Sequence, residues 1–134
     1  MRIAVMAAGA LGGYFGARMA AAGHDVFFIA RGSNLDAIKK NGLKVESVHG
    51  NLHLPEPNVT DDPANVGPVD IVLFAVKLWD TESAAERLRP VVAGGGSVIP
   101  FQNGVESIER IGAVLGKQCV MGGAAYIAGR IAEP

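Results

Sequence analysis

Short runs of hydrophobic residues recur along the chain, separated by longer stretches in which polar and apolar positions mix. Four of these runs stand out, at residues 2–6, 26–29, 71–76 and 98–101. None of them alternates polar with apolar positions, which is typical of strands buried on both faces of a parallel sheet. The pattern therefore predicts a parallel sheet that includes these four strands.

Helical patterns follow the predicted strands. Apolar side chains recur every three or four residues from Leu11 to Ala22, and Gly23 is a natural helix end. Further helices are predicted from Ser33, as the capping residue, to about Gly42, and over residues 80–92 and 108–115. This alternation predicts an α/β fold, a doubly wound Rossmann-type parallel sheet with helices on both faces. Such a sheet binds its ligand at the carboxyl ends of its strands.

Two segments fit this alternation less well. Residues 43–46 and 51–54 have the polar alternation of a short ribbon, and the prolines between residues 55 and 68 predict a surface stretch, so we expect this middle part to decorate the sheet. Residues 119–132 are again apolar and predict a further strand. No helical pattern follows to cover that strand, and we interpret Pro134 as a truncated end.

Composition narrows the class of protein. The chain has 134 residues, of which 49% are hydrophobic and 19% charged, so we expect residues 1–134 to form one globular domain. The formal net charge is −1, and without a run of Lys or Arg we expect neither a nucleic-acid nor a membrane partner. The start lacks a signal-peptide pattern and no apolar stretch approaches the roughly 20 residues of a membrane span, which predicts a cytoplasmic protein.

Candidate metal ligands and nucleophiles are few. Cys119 is the single cysteine, which excludes an internal disulfide, and its apolar neighbours favour a buried, inert thiol. His24, His49 and His53 have no carboxylate or cysteine at ligand spacing, so no metal is expected. The chain contains neither a Gly-x-Ser-x-Gly elbow nor a Walker lysine motif, which argues against hydrolases and phosphate-transfer enzymes.

The turn after the first predicted strand has the spacing of a dinucleotide-binding motif. It follows Gly-x-Gly-x-x-Gly except at its first position, and reads Ala7, Ala8, Gly9, Ala10, Leu11 and Gly12. In this motif the first glycine allows a tight turn, the second lets the backbone approach a pyrophosphate, and the third lets helix and strand pack closely. Gly9 and Gly12 keep the last two roles, and we expect Ala7 to alter the turn only slightly. A tight turn without a ligand is the alternative, but the strand before it and the helix after it favour a binding site.

Arg31 follows the second predicted strand, about 20 residues after the glycine motif, where an acidic residue would bind the ribose 2′-hydroxyl of NAD. A guanidinium there offers several donors to a 2′-phosphate, whereas a carboxylate would repel it. The alternative is an exposed, solvated arginine at a strand end. The residue favours NADP(H) over NAD(H).

Lys77 and Asn103 follow the next two predicted strands. Both are therefore expected at the sheet edge beside the cofactor, where Lys77 could hold a substrate carboxylate or the ribose and Asn103 could lie over the nicotinamide. The alternatives are a solvated loop lysine and an ordinary Asn-Gly turn.

Taken together, these residues resemble the N-terminal domain of the ketopantoate reductase (2-dehydropantoate 2-reductase) family. The resemblance covers nearly the whole chain and rests on residues 2–6, 9–12, 23–26, 30–31, 76–77 and 102–105. It implies that Arg31 reads the 2′-phosphate and that Lys77 lies by the nicotinamide ribose and the substrate. It also implies that Asn103 contacts cofactor and substrate, and that Ala128 lies against the cofactor.

The resemblance further implies an oxidoreductase. The reaction is the NADPH-dependent reduction of a 2-oxo acid, with ketopantoate going to pantoate in pantothenate biosynthesis; another ketoacid or an opine-type substrate stays open. The family's C-terminal helical domain, which carries the catalytic lysine acid, is not in this sequence. We therefore expect this chain to bind NADP(H) and catalyse little, and a homodimer stays open.

Two rival functions use the same fold. A nucleotide-sensing regulatory domain has similar size and the same glycine turn, but such domains resemble NAD binders with an acidic residue where Arg31 stands. A scaffold that keeps the fold without a ligand would not need Gly9 and Gly12. Neither rival accounts for Lys77 and Asn103.

Overall fold

A parallel sheet of five strands lies at the centre of the computed structural model, which describes residues 1–132. In chain order the strands are β1 (Arg2–Met6), β2 (Asp25–Ile29), β3 (Leu43–Val45), β4 (Leu52–Leu54), β5 (Asn58–Thr60), β6 (Ile71–Phe74) and β7 (Ser97–Pro100). Strands β3 and β4 form a separate antiparallel ribbon, and the other five have the order β5-β2-β1-β6-β7. The chain thus winds from β1 toward one edge and then returns to build the other half from β6, which is a doubly wound topology.

Helices cover both faces of this sheet. They are α1 (Ala10–Ala21), α2 (Gly32–Asn41), α3 (Thr81–Arg87), α4 (Arg89–Val92) and α5 (Ser107–Leu115). On one face Ile3 and Val5 of β1 pack with side chains of α1 and α2. On the other face Ala4 and Met6 pack with side chains of α3, α4 and α5. The predicted fold class is therefore confirmed, since alternate residues of a central strand enter two separate cores.

The middle segment contributes more than decoration, and this part of the prediction was wrong. The ribbon of β3 and β4 is present as expected, but β5 follows it and joins the main sheet as its edge strand. It pairs in parallel with β2, with Val59 opposite Phe28. Flanking prolines hide this strand in the sequence, and only the pairing with β2 defines it.

The predicted strand over residues 119–132 is also absent from the described part of the chain. Lys117–Cys119 form a 3-10 turn, and Val120 makes a single parallel bridge to Val98 before most of residues 121–132 run exposed and without regular structure. Gly122 and Gly123 interrupt the run with residues that weaken a strand. The Cys119 thiol, predicted to be buried, is only partly buried, and its Sγ donates to the carbonyl of Leu115 at 3.4 Å.

Two helix details differ from the prediction. The helix expected over residues 80–92 is divided at Leu88 into α3 and α4, because Pro90 has no N–H to continue the hydrogen-bond ladder. Ser33 does not cap α2: Arg31 occupies the N-cap position in an extended conformation, and no side chain accepts from the first N–H groups. Gly32, the first residue of α2, has a φ of 60°, a left-handed conformation that glycine adopts without strain.

Two features are absent from residues 1–132. None of the helices found there is long and apolar enough to cross a bilayer. The same residues contain no cluster of three or more His, Cys, Asp or Glu side chains that could hold a metal ion.

Candidate cofactor-binding site

An open cleft of about 940 Å³ lies at the carboxyl ends of β1, β2, β6 and β7. It sits where the chain direction reverses, because β2 and β6 lie on opposite sides of β1. Open α/β sheets bind ligands at such switch points. A volume of this size is at the upper end of the range found for ligand sites, about 300–1,000 Å³.

The glycine turn forms the floor of this cleft. Its second glycine, Gly9, is the N-cap of α1, and no side chain caps the free N–H groups that follow. A Cβ built on Gly9 meets nothing within 4 Å, so the protein itself does not require glycine here. Free N–H groups at a helix start, facing open space, make a site for a phosphate. The site therefore has the cradle that a dinucleotide needs.

Gly12 has a different role, which the structure makes specific. A Cβ on this residue would lie 2.9 Å from Cγ1 of Val5 and would also collide with the carbonyl of Ala7. The start of α1 therefore lies too close to β1 for any side chain. This is the close helix–strand packing that the third glycine of the motif provides.

Ala7 adopts a conformation that the sequence did not reveal. Its φ is 74°, in the left-handed region, and it is the one non-glycine residue with positive φ among those described. The tight turn is thus kept, and the alanine bears the strain that glycine would avoid. We expected Ala7 to alter the turn slightly. Instead the turn is formed, and Ala7 has a strained, left-handed backbone conformation.

Gly16 is a further essential glycine that sequence reasoning missed. A Cβ there would lie 2.5 Å from Cε1 of Phe28 and 2.7 Å from Cγ2 of Val5. The residue lies one helical turn after Gly12, so the two glycines together let α1 cross the sheet closely. The four-residue spacing from Gly12 was the signal that could have found it.

Arg31 lies on one wall of the cleft. Its side chain is 78% exposed, and its Nη2 lies 3.1 Å from Oδ2 of Asp80 on the opposite wall. As the N-cap of α2 it also stands beside the uncapped N–H groups of that helix. A guanidinium and a helix start at one place both favour an anion.

Asn34 links that wall to the floor, and sequence reasoning did not single it out. Its Nδ2 donates to the carbonyl of Ala8 at 2.7 Å, and the residue lines the cleft. The hydrogen bond ties the first turn of α2 to the glycine turn. Nothing in the local sequence distinguishes this asparagine from an ordinary residue of a helical first turn.

Lys77 and Asn103 both line the cleft with exposed side chains, as their places after β6 and β7 predict. Lys77 precedes a 3-10 turn (Leu78–Asp80), and Asn103 lies in the loop between β7 and α5. The structure therefore brings together the glycine turn, Arg31, Lys77 and Asn103.

A buried network holds these two loops together. Gln102 donates through Nε2 to the carbonyl of Val76 at 3.1 Å and to Oγ1 of Thr81 at 2.9 Å. Thr81 is fully buried and in turn donates to the carbonyl of Leu78 at 2.7 Å. The residue before Asn103 thus fixes the backbone on both sides of Lys77.

Arg110 of α5 holds the same turn from outside. It donates to both carboxylate oxygens of Glu82, at 2.6 and 2.8 Å, and to the carbonyl of Leu78 at 2.8 Å. These hydrogen bonds lower the pKa of Glu82 from 4.5 to about 2. The turn that carries Lys77 is therefore anchored by helices α3 and α5.

Ala128 lies next to the cleft, in the exposed segment that follows α5 and the 3-10 turn at Lys117–Cys119. Its neighbours Ile127 and Gly129 line the cleft, while Ala128 itself is exposed. A Cβ on Gly129 would lie 3.7 Å from Cβ of Ala10, so this segment passes over the start of α1.

The doubly wound sheet, the glycine turn and the open cleft at the switch point define a dinucleotide-binding domain of the Rossmann type. Comparison with known families identifies it further: residues 3–134 match the model of the family described as ketopantoate reductase PanE/ApbA. The chain belongs to this family of oxidoreductases, which use a nicotinamide cofactor.

Individual relatives support this assignment. The chain is 42% identical over 124 residues to 2-dehydropantoate 2-reductase of Archaeoglobus fulgidus, covering 91% of this chain and 38% of the relative. It is 34% identical over 126 residues to the Nostoc sp. enzyme of the same name, covering 94% of this chain and 39% of the relative. The crystal structure of 2-dehydropantoate 2-reductase from Geobacter metallireducens superposes with a TM-score of 0.93 at 36% identity, over 100% of this chain and 44% of that one. The chain thus spans about two fifths of the length of its curated relatives.

Proposed function

We propose that this chain binds NADP(H) in the cleft and forms the cofactor-binding part of an enzyme that reduces a 2-oxo acid. The observation that carries the proposal is the pairing of two anion sites, the open helix start at Gly9 and the exposed guanidinium of Arg31. One suits a pyrophosphate and the other a 2′-phosphate. NADP(H) has both groups, whereas NAD(H) has only the first.

Different residues of the cleft contact different parts of the cofactor. Residues 7–12 hold the pyrophosphate on the N–H groups of α1, and Arg31 with the start of α2 holds the 2′-phosphate. Lys77 and Asn103 lie at the nicotinamide end, where they orient the ribose and the substrate, and Ala128 borders the cofactor. When bound, NADPH supplies a hydride, and the polar groups of this chain fix the position of the acceptor carbonyl.

The substrate proposed is ketopantoate, since the relatives are named 2-dehydropantoate 2-reductases. The product would be pantoate, a step of pantothenate biosynthesis in the cytoplasm. The lysine that protonates the product is proposed to lie in a C-terminal helical domain, so the chain alone binds cofactor and turns over little. The homodimer suggested by the family remains a prediction.

The proposal is tested by titrating the 134-residue chain with NADPH and NADH in a calorimeter. Arg31→Ala should weaken NADPH binding by about 1.5–3 kcal/mol, or about 10- to 150-fold, because charged hydrogen bonds to the 2′-phosphate are lost. NADH binding should hardly change. Arg89→Ala is the matched control, since Arg89 is exposed on α4 and paired with Glu86.

A second variant tests the pyrophosphate cradle. Gly9→Ala should weaken both cofactors while the fold persists, because the added methyl meets no protein atom within 4 Å. Equal affinity of the unmodified chain for both cofactors, or tighter binding of NADH, would contradict the NADP(H) proposal and favour a nucleotide-sensing domain.

A further inference from the structure

Asp80 occupies a position from which it could cap α3, but its carboxylate is used elsewhere. It is the N-cap residue of that helix, yet its side chain accepts no capping hydrogen bond. Instead Oδ2 lies 3.1 Å from Nη2 of Arg31. Because Arg31 follows β2 and Asp80 follows β6, this ion pair spans the cleft above the end of β1.

The ion pair engages the guanidinium that the proposed function assigns to the 2′-phosphate. Asp80 is only 29% exposed, whereas Arg31 is 78% exposed. The carboxylate is therefore the more buried partner, and most of the guanidinium faces the open cleft. Only one of the five N–H donors of the guanidinium meets the carboxylate, so a ligand can contact the others while Asp80 stays close.

We propose that Asp80 determines how strongly this chain prefers NADPH over NADH. This inference rests on the proposed binding of NADP(H) at Arg31. A 2′-phosphate at Arg31 shares the guanidinium with the carboxylate and is repelled by the negative charge of that carboxylate. The 2′-hydroxyl of NADH, in contrast, can donate a hydrogen bond to the same carboxylate. Asp80 therefore reduces the preference for NADPH over NADH that Arg31 creates.

Few charged side chains surround this ion pair. The charged side chains that line the cleft among the described residues are Arg31, Lys77, Arg87, Asp61 and Asp80. Arg87 donates to the backbone carbonyl of Asp61 at 2.6 Å, which holds that cation against its own wall. Because only five charged side chains line the cleft among the described residues, removing the carboxylate of Asp80 substantially changes the net charge there.

The test is Asp80→Asn, which keeps the shape of the side chain and removes its charge. A carboxylate about 6 Å from a phosphate dianion in a water-like dielectric weakens binding about tenfold, so NADPH should bind up to about tenfold more tightly. NADH should bind equally or more weakly. Asp36→Asn on the exposed surface of α2 is the control for charge alone and should leave both affinities unchanged.

The salt dependence of NADPH binding gives a second test of this inference. The gain in NADPH affinity should shrink between about 0.1 and 1 M salt, where the screening length falls from about 10 to about 3 Å. A purely structural role of Asp80 would change both cofactors together and would not depend on salt in this way. Asp80→Ala, with circular dichroism to confirm the fold, separates loss of charge from a feature peculiar to the asparagine.

The outcomes distinguish this inference from the function on which it rests. If Arg31→Ala abolishes the NADPH preference but Asp80→Asn leaves the affinity ratio unchanged, the role of Asp80 is wrong and the proposed function stands. If Arg31→Ala also leaves the ratio unchanged, or the chain binds neither cofactor, the proposed function fails and the inference fails with it. A higher ratio of NADPH to NADH affinity in Asp80→Asn, together with loss of the preference in Arg31→Ala and no change in Asp36→Asn, supports both.

Discussion

The strained turn at Ala7 makes a prediction about stability. Ala7 has a φ of 74°, where a side chain is disfavoured and glycine is not. The variant Ala7→Gly should remove this strain without changing the path of the backbone. We expect the variant to be more stable than the natural chain, although most substitutions destabilise a protein.

The expected gain follows from two opposing contributions. The left-handed conformation costs an L-residue about 1–2 kcal/mol. Glycine loses more backbone entropy on folding, which costs about 0.5–1 kcal/mol relative to alanine. Taken at their midpoints, the two contributions leave a gain of about 0.75 kcal/mol for Ala7→Gly, or about 2–5 °C in Tm for a chain of this size.

Urea unfolding monitored by circular dichroism measures this difference, with the slope of the transition checked for constancy. Ala22→Gly is the matched control, since Ala22 is exposed at the end of α1 with a φ of −80°. That substitution should lower stability, because no strain is relieved. The strain argument would be refuted if Ala7→Gly were no more stable than the unsubstituted chain while Ala22→Gly showed the expected loss.

Three further predictions test the packing and the network around the site. Gly16→Ala should destabilise by about 1–3 kcal/mol in urea unfolding because its methyl overlaps two core side chains, whereas Gly13→Ala, whose nearest neighbours would lie at 3.9 Å, should not. Thr81→Val should lower stability by about 1–3 kcal/mol, because it removes one of the two acceptors of the Gln102 amide and the hydroxyl that donates to the Leu78 carbonyl, and Thr81→Ser should recover most of that loss. Glu82 has a pKa lowered from 4.5 to about 2 by hydrogen bonds from Arg110, so its stabilising effect is complete above pH 4.5 and disappears as the pH falls toward 2. In Glu82→Gln the dependence of stability on pH over that interval should be shallower, and an unchanged slope would contradict the assigned pKa.

The sequence predicts the main sheet well because its evidence is local. The strands β1, β2, β6 and β7 are each continuous apolar runs, and a strand buried on both faces needs nothing else to be recognised. The strand β5 has three residues, of which Asn58 and Thr60 are polar, and it exists only because β2 offers an unpaired edge. Pairing of this kind depends on tertiary structure, and no window of the sequence contains it.

The strand predicted over residues 119–132 was wrong for the opposite reason. Its local hydrophobicity is high, but beyond Val120 it has no strand partner among the described residues, and burial decides whether an apolar run becomes a strand. Hydrophobicity alone therefore predicted too much here and too little at β5.

At the candidate site, the positions of residues along the backbone could be predicted from the sequence, but the contacts of their side chains could not. Topology places the residues after each strand at one edge, which is why Arg31, Lys77 and Asn103 could be selected from their positions alone. The contacts of Asp80 could not be found that way. An aspartate before a helix predicts a cap, and only the direction of its side chain in the folded chain reveals the pairing with Arg31.

The two departures from the usual pattern, Ala7 and Asp80, should act on separate properties of the site. The strain at Ala7 is present in the folded chain with or without ligand, and in the proposed complex the turn contacts the pyrophosphate that both cofactors share. Ala7→Gly should therefore change stability, and any effect on binding should be equal for NADPH and NADH. In the same proposal, Asp80 and Arg31 act at the 2′ position, the one place where the two cofactors differ. Asp80→Asn should accordingly change the ratio of the two affinities. Because no hydrogen bond joins Ala7 to Asp80 among the described residues, their effects should add in the double variant.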